Sequence, residues 1–300
     1  MKRREFTRNA VLVAGALSAT PYLLVAKPVA VPVRMIKKGI MWGSIGFGST
    51  ILEKFQAAKA AGFDGVEPMS HLNREEVLKA KAQTGLLIPS VYGALHSKFS
   101  LSDPDPKIRV LGIEALSVTM EDAKAYGADT VLLIPGRVSD SVSYDVCWDR
   151  SVAEIKKVLP LAEKLGVTIA IENVWNNFLL SPMEAARYVD QFNSKFVRSY
   201  FDCGNVLVIG WPEQWIRILG QRITRIHIKE YSRKIADKQG KWAGFGVALQ
   251  EGDNNWPVIM KALDEIGYQN FATIEQPGGD SPEGLKELCN RLTNILKIQS

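Results

Sequence analysis

The 300-residue chain is poor in the residues that make thiol and multi-histidine sites: it has three cysteines and three histidines. Cys147, Cys203 and Cys289 are odd in number, widely spaced and without a CxxC pair, which excludes a disulfide framework and a zinc–thiolate site. A basic run is missing outside the N-terminus. The net charge is +5, but Lys2, Arg3, Arg4 and Arg8 against Glu5 supply three of those charges within the first 26 residues. The remainder is close to balanced and gives no footprint for nucleic acid. Long hydrophobic runs are also absent. The apolar stretch near the N-terminus is broken by Thr20-Pro21 and falls short of the ~20 residues of a spanning helix, so no stable membrane span is expected in the mature form.

That N-terminus, MKRREFTRNAVLVAGALSATPYLLVA, has a basic head, a short apolar stretch and small residues before Ala19 and Ala26. The pattern fits an export signal over residues 1–26, and Arg3-Arg4-Glu5-Phe6 has the look of the twin-arginine type. An uncleaved anchor or a tail is the alternative. The signal implies an exported, periplasmic protein, and a cytoplasmic one if the segment is only a tail. Residues 27–35, rich in Pro, Val and Ala, follow as a linker.

From residue 36 to 298 one pattern recurs, a short apolar run and then a longer amphipathic segment. The runs fall at 38–43, 63–69, 86–93, 128–136, 167–173, 197–205, 223–230 and 270–276. Helical spacing is clear at 151–166 and 256–267, each closed by a glycine. Eight strands alternating with helices predict a single-domain α/β fold, the (β/α)₈ TIM barrel. An open doubly wound sheet is the rival. However, the first strand runs into GIMWGSIGFGST, which lacks the GxGxxG order of a dinucleotide site.

The stretch IENVWNNFLLSP (171–182) places a glutamate where a strand should still be buried, and a buried carboxylate is costly without a partner. The following strands end alike, in Asp202, His227 and Glu275. In a barrel the C-terminal strand ends converge on one mouth. Three carboxylates and an imidazole there suit a divalent cation such as Mn²⁺, Mg²⁺, Co²⁺ or Zn²⁺. Taken singly, each residue would more often belong to an ordinary salt bridge, and it is the four together that favour a metal. His96 follows the third strand and is placed either at the mouth or in packing, and His71 is assigned no role.

The motifs IEN (171–173), FDCGN (201–205), HIKE (227–230) and IEQ (274–276) resemble the xylose-isomerase-like barrel superfamily of sugar isomerases and epimerases. The run from 172 to 230 is most similar to its hexulose-phosphate isomerase and ketose 3-epimerase branch. The resemblance implies Glu172, Asp202, His227 and Glu275 as metal ligands, usually for Mn²⁺, and Glu172 and Glu275 as the acid–base pair. It implies Glu67, His96, Asn205, Lys229, Glu230 and Arg233 as contacts to the sugar. Asn205 stands where many epimerases have histidine, which bears on substrate. Lys229 and Arg233 have ordinary surface salt-bridge or loop roles as alternatives. The resemblance is compatible with a homo-oligomer.

The implied activity is metal-dependent proton transfer through an enediolate on a ketose or keto-sugar, giving epimerisation or aldose–ketose isomerisation. Cleavage of keto-glycosides by a lyase or hydrolase and a non-catalytic sugar-binding barrel are the alternatives. Apurinic-site endonucleases share the barrel, but their trinuclear zinc centre needs more histidines than this chain has. Trp42, Trp175 and Phe245 are candidates to stack on a sugar. The long segment 235–257 is expected to shape the pocket.

Overall fold

The eight apolar runs form eight parallel strands: β1 (Lys37–Met41), β2 (Gly65–Glu67), β3 (Val91–Tyr92), β4 (Thr130–Leu133), β5 (Thr168–Glu172), β6 (Val197–Asp202), β7 (Ile223–Ile228) and β8 (Phe271–Ile274). This computed structural model describes residues 34–299. The expected signal (1–26) and most of the expected linker therefore lie outside the described residues. Arg34, inside that linker, is already anchored, with Nε and Nη2 each 2.6 Å from a carboxylate oxygen of Asp264.

The strands pair in the order β2-β1-β8-β7-β6-β5-β4-β3. Between the two ends of that order, Gly65 bridges Leu87 and Met69 bridges Tyr92, both in parallel sense. Tyr92 N–H donates to Pro68 O (3.1 Å) and Val66 N–H to Leu87 O (3.0 Å). The result is a nearly closed (β/α)₈ barrel, as expected. The seam is thin for a chemical reason. Pro68 and Pro89 flank it, and proline offers no N–H to a ladder. The runs expected at 63–69 and 86–93 accordingly shrink to three and two strand residues.

A helix fills every strand-to-strand interval. The one expected at 151–166 spans Tyr144–Leu165, beginning seven residues earlier, and stops at Gly166, whose φ of 68° is the left-handed geometry glycine tolerates. The segment 256–267 forms Trp256–Glu265, with Gly267 at φ 68°. Capping boxes at Thr50/Glu53 and Ser181/Glu184 start two others. Among the described residues no helix is long and apolar enough to cross a membrane.

Two layers of core result. The larger lies between strands and helices. The smaller, Leu132, Ala170 and Tyr200 with Tyr92 and Ile134, fills the barrel interior. Because side chains alternate along a strand, Ala170 and Glu172 share the interior face of β5, Tyr200 and Asp202 that of β6, and Arg225 and His227 that of β7. Arg225 closes the bottom, donating to Pro89 O (2.9 Å) and pairing with Asp129. Above Ala170, Tyr200 and Arg225, the interior faces of β5, β6 and β7 therefore end at the mouth in Glu172, Asp202 and His227.

Candidate active site and metal centre

Register sets the site before any side chain is considered. Asp202 is directly opposite His227 across β6 and β7, and Glu172 is opposite Tyr200 across β5 and β6. Glu275 follows β8, its N–H held by Ile228 O at 3.1 Å. One ligand atom from each of Glu172, Asp202, His227 and Glu275 lies within 4.8 Å of all the others. The four side chains named as metal ligands from the sequence are thus brought to one point.

His227 organises the group. Its Nδ1 lies 2.8 Å from Glu172 Oε1 and 3.0 Å from Glu275 Oε2. Its Nε2 lies 2.9 Å from Glu67 Oε2, which also accepts the Tyr200 hydroxyl at 3.0 Å. Lys229 Nζ reaches Glu275 Oε1 at 2.8 Å and lies 3.5 Å from Asp202 Oδ2. Asp202 Oδ1 accepts the N–H of Asn205 (2.7 Å), whereas its buried Oδ2 has no hydrogen-bond partner.

Four carboxyl groups here face one ammonium and one imidazole. Burial pushes Glu172 up to about 7 against the pull of His227, and Asp202 up to about 6 against Lys229 and His227. Burial would also raise Glu275, but Lys229 and then His227 overrule it and hold it well below the usual carboxylate range. His227 shows the mirror effect: burial alone would lower it, and the anionic groups around it hold it well above its ordinary value. Two neighbouring glutamates in opposite protonation tendencies can serve as acid and base.

The donor set fits a divalent cation. Hard oxygens and one imidazole are the ligands such ions take, and Asp202 Oδ2, buried without a hydrogen bond and 3.5 Å from Lys229 Nζ, has accepting capacity to spare. Glu67 on His227 Nε2 fits the usual arrangement in which a ligand imidazole donates its other N–H to a carboxylate.

Asn173 and Asn205 lock the strand ends that carry Glu172 and Asp202. Asn173 exchanges two 2.9 Å hydrogen bonds with the backbone of Asp202, and Asn205 Nδ2 donates to Asn173 O at 3.1 Å. The chain can pass this closely only because residue 204 is glycine. A Cβ there would sit 2.8 Å from Lys229 O and 2.9 Å from Lys229 Cβ.

Above the cluster opens a cavity of about 650 Å³, lined among others by Tyr92, His96, Trp175, Asn205, Lys229 and Phe245. His96, Asn205 and Lys229, expected near the sugar, border it. The other expected sugar contacts do not. Glu67 is fully buried beneath His227 and has no face on the cavity. Arg233 turns away, donating to Leu207 O and Gly210 O at 2.9 Å each. Glu230 is buried and accepts the N–H groups of Gln250 (2.9 Å), Asn254 (3.0 Å) and Trp256 Nε1 (2.8 Å), so it anchors a loop.

Trp42 is also not a sugar platform, because it is packed in the core against Phe55. Trp175 and Phe245 do line the cavity, with ring centroids 4.6 Å apart. The segment 235–257 contributes Phe245 and Trp242, held by Gln276 through the carbonyls of Phe245 (3.1 Å) and Val247 (2.6 Å). The sequence reading missed Trp242, Tyr92 and Gln276. Gln276, next to Glu275 in IEQ, carried the one usable signal, since an amide at a barrel strand end has to bind something.

The sequence pattern of the xylose isomerase-like TIM barrel family matches residues 55–295. The L-ribulose-5-phosphate 3-epimerase of Escherichia coli K12 is 27% identical over 264 residues, covering 81% of this chain and 87% of its own. Among solved structures, an L-ribulose 3-epimerase superposes with a TM-score of 0.74 at 19% identity, covering 88% of this chain and 95% of its own. A D-psicose 3-epimerase solved with D-fructose gives 0.72 at 17%, covering 88% and 99%. A 3-keto-D-glucoside 4-epimerase from E. coli gives 0.72 at 19%, covering 87% and 98%. At these identities the structural likenesses speak for the fold.

Proposed function

Since the chain belongs to the xylose isomerase-like TIM barrel family, we propose that it is a sugar epimerase or isomerase of ketoses or keto-sugars, assisted by a divalent cation. The isomerase class agrees with the epimerases among its relatives. The observation that carries the reading is the convergence of Glu172, Asp202, His227 and Glu275 within 4.8 Å at the floor of the cavity.

In this reading Glu172, Asp202, His227 and Glu275 hold the cation, with Mn²⁺ the first choice. When bound, it supplies Lewis-acid polarisation of the sugar carbonyl. The chain's own residues move the proton. Glu275, kept ionised beside Lys229, takes a proton from the carbon next to the carbonyl. Glu172, which burial inclines to hold a proton, returns one from the other side. Return to the same carbon inverts it, and return to the neighbouring carbon interconverts ketose and aldose. Trp175 and Phe245 cover the cavity and limit water at the reacting carbon. Keto-glycoside cleavage and a binding-only role gain nothing from the comparisons. The N-terminal pattern leads us to propose an exported, periplasmic protein.

Solvent-deuterium incorporation followed by NMR tests the reading. Mature protein with Mn²⁺ should exchange a hydrogen beside the carbonyl of at least one ketose, ketose phosphate or keto-glycoside. Chelator and Glu275→Gln should each abolish that exchange. A metal-loaded protein with no exchange on any of them would end the epimerase proposal.

A further inference from the structure

Two cavities meet at the barrel mouth. The one over the ligand cluster and a neighbour of about 560 Å³ share five wall residues, His96, Ile134, Val174, Trp175 and Trp242. Small-ligand pockets run from about 300 to 1,000 Å³. The first cavity alone therefore accommodates a sugar, and its neighbour has room for another group of similar size.

The neighbour's chemistry narrows that group. Its remaining wall includes Ser97, Ser139, Ser141, Arg137 and Asp103. At the boundary between the cavities stands Trp242, 70% exposed, its ring 4.7 Å from that of Trp175. The exposed indole extends the aromatic surface of Trp175 across that boundary. An aromatic face ringed by hydroxyl and charged donors complements a sugar ring, which has an apolar C–H face and a polar edge. A phosphate would need converging cations. Lys98 and Arg137 are there without ion pairs among the described residues, but Asp103 shares their wall and would repel an anion.

We propose that the neighbouring cavity is a second sugar subsite, so that the substrate is a keto-sugar carrying a glycosidically linked unit laid across Trp175 and Trp242. This names a substrate class for the epimerase reading and rests on it. The first cavity would hold the reacting keto ring and the second the linked unit. Free ketoses would then fill only half of the groove.

Two measurements on the metal-loaded full chain separate the claims. Calorimetric titration with the unreactive disaccharides cellobiose and maltose, against glucose, reads the subsite without chemistry. At least one disaccharide should bind tenfold or more tightly than glucose, and Ser141→Phe, which fills the second cavity, should erase that ratio. The exchange assay should give a KM for a 3-keto-glycoside at least tenfold below that of the parent free keto-sugar, with the ratio again lost in Ser141→Phe. Equal binding of disaccharides and glucose, or equal KM values, overturns the subsite while leaving the epimerase reading standing. A ketose phosphate preferred over the glycoside and weakened by Arg137→Ala also overturns it, because the cavity is then a phosphate site. Disaccharide preference without exchange on any substrate keeps the subsite and sinks the epimerase reading.

Discussion

His227 Nε2 and Glu67 Oε2 are 2.9 Å apart, and neither side chain reaches solvent. The contact joins β7 to β2 across the barrel. It leaves His227 Nδ1 as the nitrogen that faces Glu172, Asp202 and Glu275. Glu67 therefore acts on the imidazole from behind. Glu67→Gln should keep the fold, since the longer-range packing is unchanged, but weaken Mn²⁺ affinity by about 10- to 100-fold, the usual effect of losing such a partner. Calorimetric titration with Mn²⁺ reads this directly, and an unchanged affinity would show that Glu67 is a packing residue.

Burial makes the charge of Asp202 costly in the metal-free protein, and Lys229, 3.5 Å from Oδ2, offsets only part of that cost. Asp202→Asn keeps Oδ1 for Asn205 and removes that charge. The metal-free variant should be at least as stable as the metal-free parent. Saturating Mn²⁺ should stabilise the parent by about 3–4 kcal/mol, the linkage effect at 100–1,000 times Kd, and the variant by much less. Thermal melts with Mn²⁺ and with chelator decide the matter, and equal metal-induced shifts would remove Asp202 from the ligand set.

Gly204 passes so near Lys229 that even a methyl group collides with backbone. Gly204→Ala should push Lys229 from Glu275 and destabilise the chain by about 1–3 kcal/mol, the usual cost of overpacking. Proton-exchange activity should fall more steeply than stability, because Lys229 holds Glu275 ionised. Urea unfolding beside the exchange assay reveals the split, and a variant with parental values in both would contradict it.

Glu230 accepts three backbone N–H groups and the Trp256 indole. Bonds to a charged acceptor contribute about 1.5–3 kcal/mol each. Glu230→Ala should loosen the segment that carries Trp242 and Phe245, which hydrogen exchange would detect as lost protection around 231–254. A direct sugar contact would instead change KM without altering that protection.

Burial lowers His96 to about 4, opposed by a backbone contact at Leu132. Its unfolded value is near 6.5. The folded state thus resists protonation. The stability this represents is complete above pH 6.5 and declines as pH falls towards 4, on the order of 3 kcal/mol in all. His96→Gln should flatten the urea midpoint between pH 4.5 and 6.5. If the variant retains the parental slope there, other groups cause it.

How far the site was readable depends on the residue. Glu172, Asp202, His227 and Glu275 were legible because each closes an apolar run, and a barrel sends strand ends to one mouth. Glu67 closes a strand in the same way, yet its side chain stays under His227. Strand position alone does not reveal the depth at which a side chain stops. Arg233 and Glu230 lie close in sequence to His227, but turn to backbone carbonyls and amides that the loop happens to bring near.

Periodicity, strand-end chemistry and glycine stops by themselves determined the barrel and the gathering of Glu172, Asp202, His227 and Glu275 at its mouth, because these are local properties repeated around one axis. Only the tertiary structure decided that Glu67 supports His227, that Trp42 belongs to the core and that Trp242 stands between two cavities. Those outcomes depend on contacts between segments far apart in the chain, as with Glu67 and His227, 160 residues apart. Spacing along a sequence carries no information about such distances.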